Sequence, residues 1–151
     1  MKNKVPDKRL VAATWCFAVA FFPLILYGLR YIFSRSFISY HEVALGTRWE
    51  DMPASFHILY LALLKVAGGG MLAAGLVGEI LVFIPFRKNE AWSRRTLLIT
   101  GLIAGGMALT ATLTVKLNTA ANPPWILTAV CLVLIITGFF LSFNSSNVHR
   151  T

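Results

Sequence analysis

The sequence predicts an all-α integral membrane protein, a four-helix bundle whose spans run up-down-up-down with both termini on the cytoplasmic side. Of the 151 residues, 57% are hydrophobic and 13% are charged, and the mean hydropathy of +0.70 exceeds that of a water-soluble domain. The apolar residues fall into four segments of bilayer length, and basic residues lie at their edges. These segments leave little chain over, so residues 1–151 are predicted to form a single transmembrane domain.

The first predicted span covers residues 10–33. Its apolar run is longer than the roughly 7–15 residues of a signal-peptide core, so we expect a retained helix. Pro23 lies inside the run and predicts a kink. Tyr27 and Tyr31 are expected to anchor the far end at the bilayer interface.

The other three spans are predicted at residues 56–86, 96–115 and 124–143. In the second, the stretch 66–86 is apolar apart from Glu79, and about 21 helical residues match a hydrocarbon thickness of roughly 30 Å. Arg95 and Lys116 bracket the third span. Pro124 opens the fourth, in the first helical turn, where its missing N–H is harmless.

The loop before the second span, residues 34–55, mixes aromatic and aliphatic residues with acidic ones. Such a segment is typical of a surface helix or a cap on the bundle. We expect a short helix on the outer surface there, with Gly46 and Pro53 as its breakers.

The distribution of basic residues predicts the orientation. The termini and the loop between the second and third spans carry most of them: Lys2, Lys4, Lys8, Arg9, Arg87, Lys88, Arg94, Arg95 and Arg150. The opposite side carries only Arg30, Arg35, Arg48 and Lys116. Because cytoplasmic loops are enriched in Lys and Arg, both termini are predicted to be cytoplasmic. The net charge of +8 then suits contact with anionic membrane lipids and does not indicate a nucleic-acid partner.

Small residues indicate where helices approach one another closely. They are Gly68, Gly70, Ala74, Gly75 and Gly78 in the second span, and Gly101 and Gly105 in the third. Small residues four apart allow close backbone contact between membrane helices. We therefore predict that the second and third spans form a tight antiparallel pair at the bundle centre. A second such face would suit a homo-oligomer or a larger membrane complex, and the sequence leaves this open.

Glu79 is a carboxylic acid in the middle of the second span. An ionised carboxylate there is costly, so Glu79 is expected either to be protonated and hydrogen-bonded or to face a wet cavity. Thr100 and Thr137 lie at matching depth and are its predicted partners. Two roles remain open, a structural link between helices and a proton or ligand site.

A second polar group is predicted on the outer face, and its members are His41, Glu42, Arg48, Glu50, Asp51, His57 and Lys65. Lys65 is explained by snorkelling of its ammonium to the interface, or alternatively by membership of this group. No metal-ligand spacing joins the histidines, so no metal site is predicted. The sequence contains no nucleophile–base set and no cofactor fingerprint, so no cofactor is predicted either.

Three stretches resemble small four-span bacterial membrane proteins of the DoxX-like and uncharacterised hypothetical type. They are YHEVALGTRW (residues 40–49), LLKVAGGGMLAAGL (residues 63–76) and PFRKNEAW (residues 85–92), and together they cover about half of the chain. The resemblance implies a compact four-helix bundle of the bacterial inner membrane, with no catalytic residues to carry over. Microsomal glutathione transferases are similar in size and span number, but their Arg- and Asn-containing motif after the first span is missing here.

The sequence therefore favours a non-enzymatic inner-membrane protein, an accessory bundle or one that binds a lipid or small apolar ligand between its helices. Two alternatives stay open. One is a small transporter or proton-coupled carrier that uses Glu79. The other is a membrane enzyme that uses the polar group on the outer face around His41 and His57.

Overall fold

The protein is described by a computed structural model that covers residues 8–145, with side chains as far as residue 142. The predicted N-terminal cations Lys2 and Lys4, and Arg150 near the C-terminus, lie outside this range. The elements are α1 (Lys8–Ile32), α2 (Ser39–Leu45), a 3₁₀ turn (Trp49–Asp51), α3 (Ala54–Leu81) with a π-helical turn after it (Val82–Phe86), α4 (Ala91–Asn118) and α5 (Trp125–Ser145). The described residues contain no strand, which confirms the all-α class.

Four of these helices are long and apolar enough to cross a membrane: α1, α3 together with its π-helical turn, α4 and α5. Their outer faces carry large apolar side chains, such as Val66, Ile103 and Phe140, which are well exposed in the isolated chain. Helices that are apolar both inside and outside the bundle are typical of a protein surrounded by hydrocarbon. The coarse prediction of a helical membrane bundle agrees with these features.

The short helix predicted in the first loop is confirmed as α2. It ends at Gly46, whose φ of 64° is left-handed and whose N–H donates to the Glu42 carbonyl at 2.9 Å. Glycine adopts this conformation without a steric penalty and commonly ends helices. Pro53 is extended and immediately precedes α3. Both predicted breakers therefore lie at helix boundaries.

The prediction that the second and third spans form the tight central pair is wrong. Helix α3 packs along α1, α1 packs along α5, and α5 packs along α4, whereas α4 contacts α3 sparsely and also touches the π-helical turn. The reason is visible at the glycines. Gly68, Gly75 and Gly78 of α3 face α1, and Gly101 and Gly105 of α4 face Leu132 and Ile135 of α5.

The closest backbone approach joins α1 to α3. A Cβ placed on Gly28 would lie 2.7 Å from the Leu72 nitrogen and 2.8 Å from the Gly68 carbonyl oxygen. A Cβ on Gly68 would lie 2.8 Å from the Gly28 carbonyl oxygen. Only glycine permits this contact, which the sequence reasoning missed because Gly28 has no second glycine four residues away. Gly70, in contrast, has open space around it, so this predicted packing residue takes no part in a helix contact.

The hydrophobic core lies toward the end of the bundle that holds the α3–α4 turn. Phe17, Phe21, Phe86 and Leu97 are fully buried there, and the rings of Phe17 and Phe86 meet edge to face at 5.2 Å. The other end of the bundle is packed less completely. It carries α2 and contains the cavity described below.

Candidate functional site

A cavity lies between the four long helices, in the gap that the sparse contact between α3 and α4 leaves. Its volume is about 80 Å³. This is enough for several water molecules, because one water needs roughly 10–15 Å³ of such space. Most of the wall is apolar: Ala20, Pro23, Leu24, Met71, Gly101, Gly105, Ala108, Pro124, Leu127, Cys131 and Ile135. An apolar space between helices is the usual setting for a small hydrophobic ligand.

Hydroxyl groups supply the polar part of the wall. Tyr27 and Tyr31 of α1, Tyr40 of α2, Thr112 of α4 and Thr128 of α5 all line the cavity. The Tyr31 and Tyr40 hydroxyl oxygens are 2.8 Å apart and share a hydrogen bond. None of the described residues on the cavity wall is charged. The site can therefore hold an apolar body and offer hydrogen bonds to it, but it provides no counter-ion.

Tyr27 and Tyr31, predicted as interface anchors, thus face the interior of the bundle. A signal for this was present in the sequence, because residues four apart share one helix face and Tyr27 is also four residues from Pro23. Pro23 and Tyr27 both line the cavity. The sequence reasoning interpreted the tyrosines only by their nearness to the end of an apolar segment.

An aromatic cap covers the N-terminal end of α3. We use this name for Phe37, Tyr40, His41, Trp49, Phe56, His57 and Tyr60. Phe37 is buried at its centre, with ring centroids at 4.9 Å from Trp49, 6.0 Å from Phe56 and 4.9 Å from Tyr60, each edge to face. Such aromatic pairs stabilise by about 0.5–1.5 kcal/mol beyond their buried area. The cap therefore docks α2 and the 3₁₀ turn onto α3 and holds Tyr40 over the cavity.

The two histidines of the predicted polar group take separate places in this cap. His41 Nδ1 hydrogen-bonds with the Tyr60 hydroxyl. His57 stacks on Trp49 with centroids 4.0 Å apart, and its Nε2–H donates to the Trp49 carbonyl at 2.8 Å. Lys65 is exposed on α3, and in the described part of the chain no hydrogen bond or ion pair joins it to Glu42 or the histidines. Within residues 8–145, no group of three His, Cys, Asp or Glu residues is placed to hold a metal.

The protonation of the cap is set mainly by burial. Burial lowers the pKa of His41 below its ordinary value, because the charged imidazolium loses its hydration. Burial also raises the pKa of Tyr40 far above its ordinary value, and the hydrogen bond with Tyr31 adds to the rise. Tyr40, which lines the cavity, is therefore a neutral phenol at neutral pH, and the neighbouring His41 is a neutral imidazole.

We expect docking of α2 to weaken as the pH falls through the histidine range. In undocked α2, His41 binds a proton at its ordinary pKa of 6.5, whereas in docked α2 it binds one only at a lower pH. Docking is therefore fully stabilised above pH 6.5 and weakens below it. Protection factors of the α2 amides in hydrogen exchange should fall accordingly. His41→Gln should remove this pH dependence, and its persistence in that variant would assign the effect to another group.

Glu79 lies apart from its predicted partners. Its Oε1 is buried and has no hydrogen-bond partner among the described residues. Thr137 is exposed on the outer face of α5 and Thr100 is half-buried, and no hydrogen bond joins either to Glu79. These partners were predicted from equal depth in the membrane. Equal depth does not determine which face of its helix a residue occupies, so such residues need not meet. Glu79 also does not line the cavity.

Arg94 is a buried residue that the sequence reasoning treated as an interface cation. Its exposed fraction is 6%. Nη1 donates to the Ser142 carbonyl at 3.0 Å, near the end of α5, and Nη2 donates to Asn89 Oδ1. Arg94 therefore ties α5 to the α3–α4 turn. The sequence spacing indicates this burial. Arg94 lies 7 residues before Gly101 and 11 before Gly105, which places all three on the same buried face of α4.

Comparison of the chain with protein-family models, with curated proteins and with solved structures gave no significant match. The resemblance to DoxX-like membrane proteins accordingly stays a prediction.

Proposed function

We propose that this protein is a non-enzymatic bundle of the bacterial inner membrane that holds a lipid or other small apolar molecule in its interhelical cavity. The proposed topology is up-down-up-down with both termini in the cytoplasm, which follows from the basic residues at the termini and at Arg87 and Lys88. In this orientation α2 and the aromatic cap lie on the outer side, and the cavity lies in the same half of the bundle as α2.

The observation that carries this proposal is the cavity wall. It is mostly apolar, is built from all four long helices, and has a few hydroxyls at one end. This combination of a hydrophobic body and a small number of convergent polar groups is typical of small-molecule sites. The two alternative functions have less support, because Glu79 does not line the cavity and the imidazoles of His41 and His57 are engaged in the aromatic cap.

Filling the cavity tests the proposal. Ala108 lines it, whereas Ala111 on the same helix is exposed on the outer face. We expect Ala108→Phe to occupy the cavity and to reduce binding of an apolar probe at least tenfold, because the probe would have to displace a packed ring. Ala111→Phe should leave binding unchanged, because its ring points away from the bundle.

A long-chain alkane that carries a photoactivatable diazirine is a suitable probe, with the labelled residues mapped by mass spectrometry. The wild-type protein in lipid nanodiscs should be labelled at Met71 and Cys131 in addition to the outer faces of its helices. Ala108→Phe should lose the labels at these two residues and keep those on the outer faces. Equal labelling of Met71 and Cys131 in both variants, with intact helical content, would rule out the cavity as the binding site.

A further inference from the structure

We infer that the ligand of this cavity is an uncharged amphiphile, a hydrocarbon chain whose neutral oxygen acceptor, such as a carbonyl, receives hydrogen bonds from the tyrosine hydroxyls at the capped end. This inference rests on the proposed function and adds the chemical class of the ligand. It follows from counting the protons that the hydroxyls of the cavity wall leave free.

The threonine protons are already used. Thr112 Oγ1 donates to the Ala108 carbonyl at 2.9 Å, within its own helix. Thr128 Oγ1 donates to the Pro124 carbonyl at 3.2 Å, also within its helix. Each hydroxyl carries only one proton, so neither threonine has a donor left for a ligand.

The tyrosines retain two donors. Tyr31 and Tyr40 have two protons between them, and their shared hydrogen bond uses one, so one O–H of the pair stays free. Tyr27 also lines the cavity, and no described residue hydrogen-bonds with its hydroxyl. A carbonyl oxygen has two lone pairs and can accept from both donors. A bare hydrocarbon would leave both of them unpaired.

The absence of charge on the described wall excludes ionic head groups from the cavity. A buried carboxylate or ammonium needs a counter-ion, and no lining residue is charged. The Tyr40 phenol is neutral at ordinary pH, so it also cannot act as an anion for a cationic ligand. The head group inside the cavity is therefore both neutral and polar.

Three probes of equal chain length test this inference on the full-length protein in nanodiscs: a methyl ketone, the corresponding alkane and the corresponding carboxylate. Each competes against the diazirine alkane for labelling of Met71 and Cys131. We expect the ketone to bind about a hundredfold more tightly than the alkane, because it accepts two hydrogen bonds and each gives a factor of about ten. The carboxylate should bind at least about a hundredfold more weakly than the ketone.

Tyr27→Phe is the decisive variant, because it deletes a hydroxyl that has no partner in the described structure and so leaves the fold intact. It should reduce the preference for ketone over alkane about tenfold and leave the alkane affinity unchanged. Thr137→Val is the control, since it deletes a hydroxyl on the outward face of α5 that does not line the cavity. The ketone preference should persist in Thr137→Val.

The outcomes separate the two proposals. If ketone and alkane compete equally and Ala108→Phe still abolishes labelling in the cavity, the head-group inference is wrong and the proposed function stands. If the carboxylate competes as well as the ketone, the inference is also wrong. If Ala108→Phe leaves labelling intact, the proposed function itself fails. Competition by a diacylglycerol would identify the carbonyl as the ester of a neutral membrane lipid, and its failure to compete would identify a free neutral amphiphile.

Discussion

Gly28→Ala is expected to lower the free energy of unfolding by about 3 kcal/mol, at the upper end of the range for overpacked sites. The new methyl group would lie 2.7 Å from the Leu72 nitrogen and 2.8 Å from the Gly68 carbonyl oxygen. Both are backbone atoms, so no rotation of a side chain relieves the clash and α1 must move away from α3. Equilibrium unfolding in mixed micelles with a denaturing detergent measures the change.

Gly70→Ala is the matched control for this substitution. Gly70 lies on α3, two residues from Gly68, and an added methyl group there meets no atom within 4 Å. Alanine is the better helix former by roughly 0.5–1 kcal/mol, so Gly70→Ala should be neutral or slightly stabilising. Equal destabilisation by both substitutions would mean that α1 and α3 do not pack through Gly28 and Gly68.

Much of the helical organisation follows from the sequence. The runs of apolar residues located the four long helices, because only a helix satisfies its backbone polar groups over such a length in hydrocarbon. Gly46 indicated the end of α2, because glycine readily adopts a left-handed conformation. Pro53 indicated the start of α3, because proline is poorly tolerated inside a helix. These are local properties, and a single chain is enough to identify them.

The partners of each helix could not be predicted in the same way. Glycines such as Gly68 and Gly101 indicate that some helix approaches closely, but they carry no information about which one. The prediction therefore joined helices that are neighbours in the chain, whereas the glycines contact α1 and α5. The cavity follows from this arrangement, because it occupies the gap where α3 and α4 fail to meet.

The candidate site was missed for a related reason. The chemistry was sought in ionisable residues, Glu79 and the histidines, whereas the cavity wall is neutral and its polar groups are hydroxyls. Tyr31 and Tyr40 come together only because the aromatic cap folds α2 back over the bundle. That contact depends on tertiary packing around Phe37, which no local pattern in the sequence specifies.

Phe17→Ala is expected to lower the free energy of unfolding by about 2 kcal/mol. Phe17 is fully buried, meets Phe86 at 5.2 Å and lies against Gly138 of α5, so it joins α1 to two other parts of the bundle. Loss of a buried phenylalanine costs about 3–5 kcal/mol in water-soluble cores, where the loss includes transfer of the ring from water. In a membrane the separated helices still hold the ring in hydrocarbon, so mainly the packing part is lost.

Phe22→Ala supplies the comparison that isolates this packing contribution. Phe22 lies on the same helix, but it is 53% exposed and faces outward. Both substitutions remove the same atoms and change helix propensity equally, so the difference between them measures contacts inside the bundle. The unfolding free energy of Phe22→Ala in mixed micelles should differ from the wild-type value by less than about 0.5 kcal/mol. If Phe17→Ala were equally mild, the contact of α1 with Phe86 and Gly138 would contribute little to holding the helices together.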